Sequence, residues 1–230
     1  MIRHKLAMVF ASMVLCAGAL GAQRPRMQRT LDPGIWVSGS VAGFSANGVN
    51  DGRTDSAWDF GNATNWQYRG SVEKTVGRGN SFGVAGSYAH IPFVYSSGIN
   101  PLPGGTTGTR CAACDAHLDM MTLVATFHGG GSYGFHQVIE FSGGIVAYRN
   151  LKRDSDGAQL APGGGNIDPL FSLGYGIGYG FNERTSFEFV PEYGIAIHER
   201  SGLANGVSNT NRLSALRLSV RFGFGGRAFR

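Results

Sequence analysis

Between Phe171 and Phe181 every second residue is large and apolar: Phe171, Leu173, Tyr175, Ile177, Tyr179 and Phe181. Between them stand Ser172, Gly174, Gly176, Gly178 and Gly180. A period of two belongs to a strand and sends the two sets to opposite faces. A soluble antiparallel sheet buries its apolar face and shows water Lys, Glu and Thr, so a glycine ladder has no use there. It does fit the inside of a narrow barrel, where small residues make room and the apolar face is left for lipid.

Seven further segments alternate in the same way. Ile35 to Phe44 sets Ile35, Val37 and Val41 against Ser38, Ser40 and Ala42. Asn65 to Val76 sets Trp66, Tyr68, Gly70 and Val72 against Gln67, Arg69, Ser71 and Glu73. Phe82, Val84, Gly86 and Tyr88 alternate with small residues, and that segment runs on through Phe93 and Tyr95. Met121, Leu123, Ala125 and Phe127 oppose Thr122, Val124 and Thr126. Phe135, Ile139, Phe141, Ile145 and Ala147 oppose His136, Glu140 and Ser142. Phe187, Phe189, Tyr193, Ile195 and Ile197 oppose Glu188, Glu192 and His198. Leu216, Leu218, Val220, Phe222 and Phe224 oppose Arg217, Ser219, Arg221 and Gly223. Each segment supplies the roughly 9 to 11 residues that a tilted strand needs to cross a bilayer. Pro92 and Pro191 fall within segments and are expected to mark bulges.

Connection lengths sort by parity. The short ones are Gly77 to Asn80, Gly129 to Ser132 and Asn182 to Arg184; between them come the long ones, Ser45 to Thr64, Ser96 to Ala116, Asn150 to Asp168 and Glu199 to Asn211. Tight periplasmic turns alternating with extended outer loops are the mark of an outer-membrane barrel, whereas a Greek-key sandwich does not sort its loops in this way. Aromatics bunch at strand ends: Phe127, Phe135, Tyr179, Phe181, Phe187, Phe222 and Phe224 near the turns, and Trp66, Tyr68, Tyr95 and Phe171 near the loops. Such belts are expected at the two membrane interfaces.

The N-terminus is of another kind. Arg3, His4 and Lys5 precede an apolar run from Leu6 to Leu20 and small residues at Gly21-Ala22. Residues 1–22 are expected to be a secretory signal peptide, 23–33 a short periplasmic segment and 34–230 the barrel. The apolar run falls short of the ~20 residues of a spanning helix. Without Arg3 and Lys5, 18 basic residues stand against 15 acidic, and no basic cluster interleaved with aromatics appears, so no nucleic-acid partner is implied. Charged residues are 15% of the chain against roughly 25% in an average soluble domain, and 37 Gly with 8 Pro in no three-residue period exclude collagen.

The signal peptide, eight alternating segments, loop parity and final strand Ala215-Leu216-Arg217-Leu218-Ser219-Val220-Arg221-Phe222-Gly223-Phe224 resemble the small eight-stranded outer-membrane barrels of the OmpA and OmpX type. The resemblance implies an all-β, eight-stranded antiparallel up-and-down transmembrane barrel in the outer membrane of a Gram-negative cell. It also implies outer-membrane lipids, periplasmic chaperones and the barrel-assembly machinery as partners. Family members commonly end on an aromatic that the machinery recognises. This chain continues Gly225-Gly226-Arg227-Ala228-Phe229-Arg230, so Phe222, Phe224 and Phe229 are the candidates for that signal.

Inward phase falls on seven charges: Arg69, Glu73, Glu140, Glu188, Glu192, Arg217 and Arg221. Charges in a small lumen must be paired or wet, so a nearly balanced set predicts a hydrogen-bonded plug and not a selective pore. Cys111 and Cys114 form an even pair in an exported chain, a disulfide candidate; zinc held by both with His117 has unusual spacing. Asp115 stands where haem attachment needs His. No cofactor or metal is expected. His128 and His136 flank a turn, as solvated histidines often do, and His198 lies on the inward phase away from Ser201, which argues against a lipid-side His/Ser pair. The expected function is therefore non-enzymatic: a structural or surface-interaction role (adhesion or membrane integrity), with an extracellular ligand possible at the long loops. The alternatives are a narrow porin-like channel for small solutes or ions and, third, a lipid-modifying enzyme.

Overall fold

Each of the eight alternating segments becomes a wall strand in the computed structural model, which describes residues 33–61, 64–97 and 111–226. In chain order the strands are β1 (Ile35–Ala46), β2 (Val49–Asp51), β3 (Ser56–Asp59), β4 (Asn65–Gly77), β5 (Asn80–Ser97), β6 (Cys114–Gly130), β7 (Gly134–Arg153), β8 (Asn166–Asn182), β9 (Thr185–Ile197) and β10 (Thr210–Phe224). β2 and β3 form a small hairpin inside the first long loop, and the other eight pair antiparallel in sequence order. β1 closes the ring on β10, in register from Ile35↔Phe224 to Ala46↔Leu213. The expected signal peptide and Phe229 lie outside the described residues.

The proline expectation fails. Both Pro92↔His117 and Leu216↔Pro191 sit in uninterrupted ladders. Between Ala89, the last β5 partner of β4, and Val94, the first of β3, β5 has one free edge, and Pro92 stands there without forfeiting a bond. Pro191 faces a short lapse in the β8 ladder between Gly174↔Glu192 and Ile177↔Phe189. Register shifts occur instead at Thr75/Gly77, His117/Asp119 and Gly180/Asn182.

The outward phase is an apolar belt. Trp66, Tyr68, Phe135 and Phe181 are each more than 60% exposed, and Leu123, Phe141, Phe171, Leu218 and Val220 join them. Soluble monomers rarely expose contiguous apolar surface on this scale, whereas a lipid-facing wall must. Inward, Gly176 faces a wall with no room for a side chain, since a Cβ there would lie 2.0 Å from the Phe189 carbonyl oxygen. At Gly178 a Cβ would lie 2.3 Å from His136 Nε2, so the absence of a side chain lets that imidazole into the lumen.

Toward the long loops polarity inverts, and the alternation continues except at a bulge in β7 where Arg149 and Asn150 both face out. On β5 the outward residue changes from Tyr88 to His90, while inward Ile91, Phe93 and Tyr95 are buried. On β6 Asp119 and His117 face out above Met121, with Leu118 and Met120 inside. β7 turns Arg149 out and Tyr148 in, and β10 turns Arg212 out. Beyond this level the wall follows the pattern of a soluble sheet, polar side chains outward and apolar ones inward. Tyr95 is accordingly fully buried, not a member of the outer aromatic belt.

Candidate functional site

The lumen holds two layers, a charged one toward the turns and an apolar one toward the loops. Wall strands carry all seven sequence-picked charges on their inner faces, where the period of two directs them. Arg217 forms ion pairs with Glu140 and, at 3.5 Å, with Glu192. Arg69 lies 3.4 Å from Glu192 and 3.9 Å from Glu140, and it also donates to Thr126 and Ser142. These four form one cluster.

Arg221 centres the second. Its guanidinium donates to Glu73 at 2.7 Å, to Ser81 at 2.9 Å and to Glu188 at 3.3 Å, and it stacks 4.8 Å from the centroid of the Trp36 ring. His128 completes it, with Nε2 3.2 Å from Glu188 Oε1. The expectation of a solvated His128 is thus overturned: the residue is buried in the lumen. It lies in phase with Thr122, Val124 and Thr126, so one more step of the alternation would have placed it there; Trp36 was likewise missed although it alternates with Ile35 and Val37.

His128, Glu140 and Glu188 offer ligand atoms within 4.8 Å of one another. Arg217 and Arg221 already occupy the same carboxylates, and their positive charge opposes a cation there. Cavities lie beside the charged layer. One of about 40 Å³ is lined by Arg69, Thr122, Ser172 and Glu192 among others, and one of about 10 Å³ lies beside His128 and Arg221. Holding one water takes about 10–15 Å³ of such space, so the larger has room for a few waters and the smaller for one at most.

The apolar layer is closed by the β2–β3 hairpin. Trp58 is buried against Tyr148 and His198, both edge-on at 5.7 Å, and Phe60 lies beside Phe93 and Tyr148. A Cβ on Gly52 would meet the Leu203 nitrogen at 2.3 Å, so the hairpin tip lies directly on the fourth long loop. Its length marks Ser45 to Thr64 as an extended outer loop, and Val49, Trp58 and Phe60 within it are the signal that it packs.

Polar contacts lock the cap. His198, just beyond the outer end of β9, is buried with Nδ1 2.9 Å from Asp168 and Nε2 3.9 Å from Asp51 of the hairpin. Burial disfavours the imidazolium, but Asp168 and Asp51 override it and push the pKa up to about 9. Burial likewise works against the Asp51 carboxylate, which His198 and Thr54 nonetheless hold below its ordinary value. Asn211 donates to the Tyr148 hydroxyl at 3.1 Å.

Cys111 and Cys114 are joined by a disulfide at the start of β6, so neither sulfur is free to bind zinc. Cys111 also exchanges backbone and side-chain hydrogen bonds with Ser97 at the end of β5. Phe222 and Phe224 face outward at the turn end of β10.

No protein-family model and no curated protein sequence matches the chain. Among solved structures, the Neisserial surface protein A is similar with a TM-score of 0.53 at 12% identity, over 83% of this chain and 97% of that one. Outer membrane protein OprG of Pseudomonas aeruginosa gives 0.40 at 13% identity, over 86% and 100%. Ail of Yersinia pestis, bound to a heparin analogue, gives 0.37 at 12% identity, over 84% and 100%. The chain has the fold of the small eight-stranded outer-membrane β-barrels, and its apolar belt is the surface such a barrel presents to lipid.

Proposed function

We propose that this protein is a non-conducting, non-enzymatic barrel of the outer membrane whose role lies at its outer surface, in adhesion or membrane integrity. The observation that carries this reading is the double closure of the lumen. A solute entering from outside meets the Trp58–Tyr148–Phe60 layer, and below it the Arg69–Glu192–Arg217–Glu140 cluster. Moving either layer aside means uncovering a buried core or separating buried ions, each costing several kcal/mol. One solved structure of this fold, with a TM-score of 0.53, is itself named a surface protein.

The channel reading would need a continuous wet path, which these layers interrupt. The enzyme reading rested on His198 with Ser201, yet His198 is engaged by Asp168, Asp51 and Asn166, all carboxylate or amide groups. The seven lumen charges act in this proposal as a plug, and Phe222 or Phe224 as the contact for the assembly machinery. Planar-bilayer recording of the purified, refolded protein tests it. Absence of steady unit conductance is expected; reproducible channels would overturn the plugged-lumen reading.

A further inference from the structure

Just above the apolar belt, two histidines stand side by side on the outer surface. His90 of β5 and His117 of β6 both point outward, where register places His90 opposite Asp119 and Pro92 opposite His117. Their ring centroids are 5.0 Å apart with planes tilted by 38°. Each ring is held by its own carboxylate through Nδ1: His90 by Asp119 at 3.0 Å, and His117 by Asp154 at 2.6 Å. An ionised carboxylate only accepts, so each ring donates from Nδ1 to its carboxylate, and the neutral form of either ring has its lone pair on Nε2. Among the described residues neither Nε2 has a protein partner.

We propose that His90 and His117 form a binding site for a divalent transition-metal ion, with Zn²⁺ as the fitting ion, on the outer surface of the barrel. Two imidazoles fixed by carboxylates through their far nitrogens are the arrangement that metal-binding histidines use, because the second hydrogen bond sets ring orientation and raises ligand basicity. Imidazole nitrogens favour zinc and copper over magnesium or calcium. The wall around the pair holds it in place. Asp119 also accepts from the Tyr88 hydroxyl at 2.8 Å and from Asn150 at 2.6 Å. Asn150 reaches it because β7 bulges there, with Asn150 at φ 53°, so that Arg149 and Asn150 both face out. A bulge re-aims a side chain, and Asn tolerates the left-handed conformation better than most residues.

Nearby charge does not block the site. Lys152 faces His117 across β6 and β7, and Arg149 faces Asp119, but Arg149 turns away to bond the Gly164 carbonyl. The carboxylates of Asp119 and Asp154 offset the remaining Lys152. With two protein nitrogens bound, the other coordination positions stay open at the edge of the lipid headgroup layer.

The untagged, refolded barrel titrated with Cu²⁺ as spectroscopic probe and Zn²⁺ as competitor is the test. One Cu²⁺ per barrel is expected, bound by two imidazole nitrogens in the paramagnetic resonance spectrum and displaced by Zn²⁺. His90→Ala and His117→Ala should each weaken binding at least about tenfold, and Asp119→Asn or Asp154→Asn by roughly 10- to 100-fold. All four variants should keep the gel mobility of the folded barrel, since these side chains lie outside the packed interior. A dissociation constant in the millimolar range, a single-nitrogen signal, or undiminished binding in the His90→Ala/His117→Ala double variant would overturn the proposal. The last result would put the ion elsewhere, with the lumen cluster at His128 the first alternative.

Discussion

Trp58, carried by the loop hairpin, lies edge-on against Tyr148 of the barrel wall, with ring centroids 5.7 Å apart and planes at 71°. The contact joins a segment that sequence assigns to a loop with a strand more than eighty residues away. Trp58 is 1% exposed, so the hairpin is a lid seated in the mouth and not a strap across it. Trp58→Ala should therefore release the hairpin at a cost of about 3–5 kcal/mol in local stability. The expected readout is rapid trypsin cleavage after Arg53 while the barrel itself stays folded on an unboiled detergent gel. A cleavage rate equal to that of the native protein would show that Trp58 does not hold the lid.

In the charged layer, removal of one partner leaves an uncompensated ion. Arg217→Met leaves Glu140 with only Arg69, 3.9 Å away, and takes one of its two arginines from Glu192, so it should cost about 3 kcal/mol in urea unfolding from lipid vesicles. Combining it with Glu140→Leu leaves Arg69 and Glu192 paired at 3.4 Å. The double variant should accordingly recover most of the loss, because a buried pair replaced by apolar groups is close to neutral. If the two losses simply add, the Arg217–Glu140 pair is not what stabilises the layer.

The cap should respond to pH through His198. Its pKa is raised from 6.5 to about 9 by Asp168 and Asp51, so its contribution is fully present below about pH 6.5 and is lost as pH rises through about 9. Asp51 is depressed below 3.8, so its contribution is present above that value and lost as pH falls through its lowered value. The lid is then held best between about pH 4 and 6.5 and loosens toward pH 9, by an amount on the order of 2–3 kcal/mol. Trp58 fluorescence in a Trp36→Phe/Trp66→Phe background should shift toward solvent exposure over that alkaline range. His198→Gln should abolish the alkaline transition, and a transition that persisted in it would assign the effect to another group.

Parity was legible in the sequence because covalent geometry enforces it: once Tyr175 faces out, Gly174 and Gly176 face in. The same rule brought Arg69, Glu140, Glu192 and Arg217 together in one lumen layer, although it could not say which would pair with which. The level at which lipid gives way to water was not legible. Tyr95 is an aromatic near a strand end, as a belt residue would be, and only the change from Tyr88 to His90 below it shows that the rule has already inverted. The pairing of His90 with His117 was not legible for a related reason. They face each other only because β6, from Cys114, begins well before the alternating run Met121 to Phe127 and so carries His117 alongside β5.

That inversion can be located by charge. On β5, Val84 and Val94 share the outward phase and both are exposed, 56% and 42%, so exposure alone does not distinguish them. Val84 lies within the belt beside Val72 and Ala125, whereas Val94 pairs with Asp59 and Asp115 above it. An arginine in hydrocarbon costs about 2–4 kcal/mol near the midplane and about 0–1 near an interface. Val84→Arg should therefore lower folding stability in lipid vesicles by about 2–4 kcal/mol. Val94→Arg should change it by less than about 0.5 kcal/mol, since it meets water and two carboxylates. Equal penalties at both positions would place the lipid boundary above Val94, and with it the His90–His117 pair inside the hydrocarbon.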